Sequence, residues 1–268
     1  MLFLLFLYCF ASCASAKSAP RRRPPTPSKA PHERIYTLNE TNSSPVDIAE
    51  VLQLAHDGDP DSMNLLSSLY MAGHPSKLVA PDEREAIKWM RLASEAGNYD
   101  AMFNYAVAHR DGLLGVPVDE NAAITLFEAA AVGSGETDPS AFLNLAWLYE
   151  ARGGPGDFER AFSWFAKAAD GGDPRGALEL GKAYSLGRGV EPDEHFALEY
   201  TRLAAEKGLS GAVVKLGYIY RAGLGVDVDP HEALQLYKTA LRLAKRPEEA
   251  EMARNALVNL LGSGELEE

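Results

Sequence analysis

The amino-acid sequence predicts an all-α fold, a right-handed α-solenoid of helix–turn–helix repeats with a capping helix at each end. Isoleucine is rare, with five residues in 268, whereas alanine, leucine and glutamate are plentiful, a balance that favours helices. An anchor residue recurs at intervals of 39, 40, 35 and 36 residues: Tyr70, His109, Tyr149, Tyr184 and Tyr220. Behind every anchor stands an Asp, with one Ala four residues and another eleven residues after it. Periods of this length are typical of repeat proteins.

Each predicted unit consists of two helices joined by a short turn. Small and aromatic residues fall on one face of the first helix, which in most units ends at a glycine able to adopt the left-handed conformation of a terminus. The Asp is a favourable N-cap for the second helix. The five are Asp82, Asp119, Asp157, Asp193 and Asp229. Residues 82–85 have the form of a capping box, and Gly97, Gly172 and Gly208 end second helices.

The repeated pattern resembles that of the Sel-1-like repeat family, relatives of the tetratricopeptide repeat. Residues 176–208 fit that family's pattern almost throughout, and residues 212–240 fit it with Leu216-Gly217, Tyr220 and Gly223. The resemblance covers about residues 60–245 and implies a solenoid of about five repeats. Those repeats start near residues 61, 101, 141, 176 and 212.

Three substitutions depart from the family's pattern. Ser67 replaces the glycine of the first helix, His109 replaces a tyrosine, and Arg152 stands where glycine is usual, although Gly153-Gly154 can serve instead. These departures are expected to change the shapes of loops and to leave the fold unchanged.

Both ends of the solenoid are expected to carry a capping helix, because the outermost repeats need their apolar faces shielded. Residues 44–56 form the N-terminal cap and residues 247–261 the C-terminal cap of a solenoid domain spanning 44–262, followed by an acidic tail at 263–268. The C-terminal cap is predicted to turn five apolar side chains toward the stack. They are Met252, Ala256, Leu257, Leu260 and Leu261.

The N-terminal region has the features of a secretory protein. Residues 1–16 form an apolar run that ends in Ala-Ser-Ala, which predicts a signal peptide. A reversed membrane anchor and a misassigned start of a cytosolic protein are the alternatives. Residues 17–43 are basic and rich in proline, which predicts a disordered tail, and they contain two N-glycosylation acceptors, Asn39 and Asn42.

Charge and cysteine content exclude several classes of function. The net charge is −12, and since residues 17–34 carry six basic residues and one acidic residue, the rest of the chain is still more acidic. Such a body is expected to bind neither nucleic acid nor an anionic membrane surface. Cys9 and Cys13 lie in the predicted signal peptide, so the mature chain would have no disulfide, cysteine nucleophile or cysteine-ligated zinc.

No motif predicts catalysis, a cofactor or a metal site. Residues 176–182 miss a phosphate-binding loop by one residue, because Ala183 stands where Ser or Thr is required. Residues 57–61 lack the Gly and Glu of a calcium loop and predict a turn between repeats. The six histidines show no metal-type spacing, and His109 is interpreted as a packing residue. Trp89 and Trp164 are predicted to be core residues, whereas the role of Trp147 is open.

The resemblance to tetratricopeptide relatives implies that the first helices line a concave surface that binds partners. Carried over by position, it implies that seven side chains face this groove. They are Asn64, Arg110, Trp147, Glu150, Lys182, Tyr218 and Arg221. A Trp and a Tyr among charged residues are typical of an interaction hot spot.

The function expected first is that of a non-enzymatic adaptor of the secretory pathway, in the endoplasmic-reticulum lumen or outside the cell, which binds other proteins or peptides. Lumenal Sel-1-like adaptors of protein quality control suggest one role, and an extracellular binding protein is another. The alternatives are an enzyme resembling cysteine-rich, β-lactamase-type bacterial Sel-1-like proteins, whose cysteine pairs are absent here, and a cytosolic scaffold or spacer.

Overall fold

The computed structural model describes residues 48–73, 79–133 and 138–266, which belong to one compact unit, residues 35–268. Within these ranges the regular structure is entirely helical. The predicted signal peptide, the basic tail and both glycosylation acceptors lie outside the described residues. The helices are α1 (Ile48–His56), α2 (Pro60–Ala72), α3 (Glu83–Glu95), α4 (Tyr99–Asp111), α5 (Glu120–Gly133), α6 (Pro139–Arg152), α7 (Asp157–Asp170), α8 (Pro174–Leu186), α9 (Glu194–Glu206), α10 (Ser210–Ala222), α11 (Pro230–Leu243) and α12 (Pro247–Leu261).

The helices form five antiparallel pairs that stack in chain order. Each first helix packs against the second helix that follows it, and each second helix packs against the next first helix. The five first helices begin within two residues of the predicted repeat starts. Helix α1 covers α2, and α12 covers α10 and α11, so a solenoid with a cap at each end is confirmed.

Alanines at the two repeated positions hold each second helix close to its neighbours. All ten are buried: Ala86, Ala93, Ala123, Ala130, Ala161, Ala168, Ala197, Ala204, Ala233 and Ala240. A methyl side chain brings two helix backbones together and loses no rotamer entropy when it is buried. Larger apolar residues fill the remaining volume, and the largest core cluster runs from Phe103 in α4 to Leu180 in α8.

Glycines end the first helices in the way the sequence predicts. Gly112, Gly153, Gly187 and Gly223 all have left-handed backbone angles, and each amide donates to the carbonyl four residues before it. Gly73 has a positive φ of 75° but an extended ψ of 162°. The first repeat also has a longer connection to its second helix than the others have.

Four of the five predicted Asp caps are confirmed. The carboxylates of Asp82, Asp119, Asp193 and Asp229 accept hydrogen bonds from amides in the first turn of α3, α5, α9 and α11. The predicted capping box is wrong in its second hydrogen bond, from the Asp82 amide to the Glu85 carboxylate. The Asp82 amide donates to the Tyr70 carbonyl, and the carboxylate of Glu85 accepts hydrogen bonds from Lys88 and from the Trp89 indole.

The prediction that Asp157 caps α7 is wrong. Gly156 occupies the cap position, and Asp157 is a buried residue of the first turn. Its carboxylate accepts hydrogen bonds from Arg152, at 2.7 Å from Nε and 2.6 Å from Nη2, and from the Gly154 amide at 2.9 Å. The hydrogen bond from Arg152, which outweighs burial, lowers the pKa of Asp157 to about 2. Arg152, which departs from the family's pattern, therefore binds Asp157, which does not cap α7.

The same cluster includes the anchor of the third repeat. Tyr149 donates a 2.6 Å hydrogen bond from its hydroxyl to Glu128 of α5, and the guanidinium of Arg152 lies 4.9 Å from its ring centroid. Burial, together with the hydrogen bond to Glu128, raises the pKa of Tyr149 to about 12. These contacts join α5, α6 and α7 at the middle of the stack.

Helix α12 faces the stack with a different set of residues from the one predicted. Ala253 and Leu260 are buried, and Ala256 and Leu257 are partly buried, which is the i, i+3, i+4, i+7 spacing of a single helix face. Met252 and Leu261 each lie one residue outside that stripe and are 50% and 63% exposed, so their predicted burial is wrong.

A glycine in α10 provides a test of the packing between α10 and α11. A Cβ added at Gly217 would lie 2.5 Å from the ring of Tyr237, a buried residue of α11. We expect Gly217→Ala to lower the free energy of unfolding by about 1–3 kcal/mol, because the clash outweighs the gain in helix propensity. Denaturant unfolding followed by circular dichroism measures the change.

Gly211 of the same helix is the matched control, because a Cβ there would meet no atom within 4 Å. Gly211→Ala should leave the free energy of unfolding unchanged or raise it slightly, since alanine favours helix over glycine. Equal destabilisation by the two substitutions would contradict the close approach of α10 and α11 at Gly217.

The Asp157–Arg152 pair predicts an acid-dependent contribution to stability. The folded-state pKa of about 2 lies below the ordinary pKa of an aspartate, 3.8, so the carboxylate stabilises the fold above pH 3.8. That stabilisation is lost as the pH falls toward 2. We expect Asp157→Asn to be less stable than the parent at neutral pH, with a difference that shrinks below pH 4 in thermal melts. Asp170→Asn, at the exposed far end of α7, should show no such convergence.

Candidate functional site

The first helices of successive repeats present aligned rows of side chains. The residues five positions before each anchor are Leu65, Asn104, Asn144, Glu179 and Lys215, all half-buried. The residues two positions before each anchor are Ser68, Val107, Trp147, Lys182 and Tyr218, of which only Val107 is buried. Positions three apart lie on one side of a helix. We call these two rows, with the residues directly after the anchors, the first-helix face.

Side chains of this face contact each other from one repeat to the next. The Arg110 guanidinium of α4 donates a hydrogen bond to the Asn144 side chain of α6. Glu150 at the end of α6 accepts a 2.7 Å hydrogen bond from Arg188, which follows α8. Arg221 of α10 forms a two-nitrogen contact with Glu265, with Nε at 2.9 Å from Oε2. The structure therefore places Arg110, Glu150 and Arg221 in polar bridges along the stack.

The α8–α10 part of the face is where the predicted residues remain most accessible. Lys182 of α8 donates a 2.8 Å hydrogen bond to Glu179 one turn earlier. Tyr218 of α10 is 51% exposed, and the ammonium of Lys215 lies 5.9 Å from its ring centroid. Burial, with a further contribution from the charge of Lys182, lowers the pKa of Lys215. Two cations and one exposed aromatic ring thus share this region.

Asn64 is buried, with 6% of its surface exposed, so its predicted place in the groove is wrong. It lies six positions before its anchor, and the residues at the same position of the next two repeats, Phe103 and Leu143, are buried as well. The face continues one residue later, at Leu65. A one-residue shift rotates a side chain by 100° around the helix, which is enough to move it inward.

The three tryptophans all contribute to packing. Trp89 is buried, and Trp164 is partly buried with its ring stacked on Phe142 at 5.7 Å between centroids. Trp147 lies on the first-helix face but is only partly accessible, since it packs against the core cluster that runs from α4 to α8. Trp147 therefore joins the face to the core.

The sequence analysis did not identify several residues of the first-helix face or the partners that bind to it from other segments. Lys215 and Asn144 follow the same three-residue spacing as the predicted residues, so counting the rows from every anchor would have identified them. Arg188 and Glu265 lie in segments outside the first helices, and nothing in the repeat pattern pairs them with Glu150 or Arg221.

The structure assigns packing roles to the other motifs examined in the sequence. Residues 176–182 lie within α8. Residues 57–59 form the turn from α1 to α2, where Asp59 caps α2, and residues 60 and 61 begin that helix. The ring of His109 packs on Tyr105 at 4.6 Å between centroids. No cluster of His, Cys, Asp and Glu suited to a metal ion occurs among the residues that the structure describes. In the same ranges no helix has the length and apolarity needed to cross a membrane.

Comparisons with known proteins agree with this architecture. The Sel1 repeat profile matches residues 60–98, 100–131, 139–173, 174–209 and 210–244, one match for each helix pair. No curated protein sequence matches the chain.

Two solved structures share the fold with moderate sequence identity. The first is c5321, a protective antigen present in uropathogenic Escherichia coli strains displaying an SLR fold, with 28% identity and a TM-score of 0.62 over 80% of this chain. The chain spans 48% of the length of that protein. The second is a Sel1 repeat protein from Oxalobacter formigenes, with 29% identity and a TM-score of 0.58, covering 78% of this chain and 100% of that one.

The profile matches cover most of the chain, and their limits coincide with the helix pairs and with the buried alanines of each unit. The chain belongs to the Sel1 repeat family.

Proposed function

We propose that this protein is a non-enzymatic scaffold of the secretory pathway that binds partner polypeptides on the first-helix face. The observation that carries the proposal is the set of polar contacts that connect different repeats along that face. Polar contacts connect α4 to α6, α6 to the segment after α8, and α10 to the segment after α12. Sel1 repeat proteins are generally protein-interaction scaffolds, which supports a polypeptide as the ligand.

A surface held in place before binding favours affinity, because less conformational entropy is lost when the partner docks. The bridges from Arg110, Glu150 and Arg221 restrain long side chains that would otherwise be mobile. Tyr218 lies between Lys215 and Arg221 on α10 and offers an exposed ring with few rotatable bonds. Aromatic residues in such surroundings tend to dominate binding energy.

The location in the secretory pathway is supported by the amino-terminal sequence. The apolar run of residues 1–16 and the acceptors Asn39 and Asn42 are independent features of a translocated glycoprotein. Within that pathway, a lumenal adaptor in protein quality control and an extracellular binding protein are the two roles in view.

Selection of peptides tests the binding function directly. Random peptides displayed on phage are selected against the purified protein, and the enriched sequences are then titrated against variants. We expect Tyr218→Ser to weaken the selected peptides by about tenfold or more, as loss of an aromatic hot spot does.

Tyr99→Ser is the matched control, because Tyr99 is 46% exposed but lies at the start of α4, outside the two rows. Peptides that bind both variants as tightly as the parent would contradict the first-helix face as the binding surface. Circular dichroism melts verify that both variants remain folded.

Glycosidase digestion tests the location. Expressed in a eukaryotic cell with a C-terminal tag, the protein should lose its first 16 residues and migrate faster after removal of N-linked glycans. The variant with Asn39→Gln and Asn42→Gln should show no change on digestion. An uncleaved, unglycosylated product in the cytosol would overturn the secretory assignment, while recovery from cells or medium separates a lumenal from an extracellular role.

A further inference from the structure

Lys215 is a half-buried cation on the first-helix face without an acidic partner. Neighbouring cations of the face are paired: Lys182 with Glu179 at 2.8 Å, Arg188 with Glu150 at 2.7 Å, and Arg221 with Glu265. Among the described residues, no carboxylate forms a hydrogen bond or ion pair with Lys215. Its ammonium instead lies 5.9 Å from the centroid of the Tyr218 ring.

The surroundings of Lys215 disfavour its charge. Partial burial removes water from the ammonium, and Lys182 adds a like charge from the adjacent first helix, so the pKa of Lys215 lies below its usual value. Burial of an unpaired cation beside a like charge raises the free energy of the unbound protein, and an anion beside Lys215 would lower it. The excess of positive charge is local, since the whole chain carries a net charge of −12.

A carboxylate already binds to this face at Arg221, nearly two helical turns after Lys215 on α10. Arg221 holds Glu265, which comes from the segment after α12, and the hydrogen bond from Arg221 lowers the pKa of that carboxyl group. The side-chain carboxylate of Glu265 is therefore bound as an anion beside α10. Lys215 offers an equivalent contact, which no carboxylate among the described residues makes, whereas the neighbouring Lys182 already binds Glu179.

We propose that the α8–α10 part of the first-helix face binds a polypeptide segment rich in Asp and Glu. A carboxylate of the segment pairs with Lys215, Lys182 adds a second positive charge while it stays bound to Glu179, and an adjacent apolar side chain packs on Tyr218. The inference rests on the proposed scaffold function and specifies the chemistry of the partner. A short acidic segment fits better than a long polyanion, because beyond this region the acidic surface of the protein repels extended negative charge.

Fluorescence anisotropy with a defined probe tests the inference. The probe is a fluorescein-labelled peptide, Gly-Ser-Glu-Glu-Leu-Glu-Glu-Ser-Gly, titrated with the purified full chain, and the reference peptide has Gln at every Glu. We expect the Gln peptide to bind about tenfold more weakly, and Lys215→Gln to weaken the Glu peptide by about tenfold. Binding should also fall as salt is raised.

Two further variants separate charge from structure. Lys215→Arg keeps the charge and should retain binding within about threefold, whereas Lys238→Gln removes the same charge from the exposed side of α11 and should have no effect. Equal effects of Lys215→Gln and Lys238→Gln would overturn the inference. Displacement of the Glu peptide by a thymidine oligonucleotide at equal concentration would overturn it as well, since it would indicate a general polyanion site.

The composition of the phage-selected peptides distinguishes failure of this inference from failure of the scaffold function. Peptides that depend on Tyr218 but contain no excess of Asp and Glu would overturn the acidic partner and leave the scaffold intact. The absence of any Tyr218-dependent peptide would overturn the scaffold function itself.

Discussion

The close approach of neighbouring helices is the constraint on which the rest of the structure depends. Two alanines in every second helix and small residues in the facing first helices let the backbones pack directly against each other. At Gly217 the ring of Tyr237 fills the space a side chain would occupy, and in the first repeat Ser67 donates a hydrogen bond across the same interface to the Ala86 carbonyl. Because this spacing recurs, the first helices lie in register and their outer side chains form rows.

The third repeat shows how a local departure is compensated without a change in the stack. Helix α6 ends at Arg152, three residues after its anchor Tyr149, whereas α8 and α10 end two residues after theirs. Asp157 does not cap α7 and binds Arg152 instead. A charged pair with one buried member is stable only when its hydrogen bonds are satisfied, and here the Gly154 amide completes them. The exchange replaces a cap with an ion pair. Relative to its first alanine, α7 begins one residue earlier than the other second helices do, while Ala161 and Ala168 remain buried.

The fold could be read from the sequence because its determinants are local and repeated. Alanine spacing, terminal glycines and Asp caps each act within one unit, and five copies of the pattern distinguish it from chance. The face was harder to predict because it depends on exact register and on distant partners. Asn64 was misplaced by a single residue, and the pairing of Arg221 with Glu265 joins residues 44 positions apart that no repeat relates.

Charged side chains of the first-helix face can have two roles: they can bridge neighbouring repeats, or they can attract a partner. A cation that bridges two repeats stabilises their register, but its charge is then neutralised and contributes little attraction to a partner. Lys215 is the exception in the described part of the face, since its charge forms no ion pair there and is disfavoured by burial and by the charge of Lys182. Natural proteins tend to tolerate such unfavourable charges where a ligand uses them. Lys215, the cation of the face that contributes least to the stability of the fold, is for that reason the one best suited to bind an acidic partner.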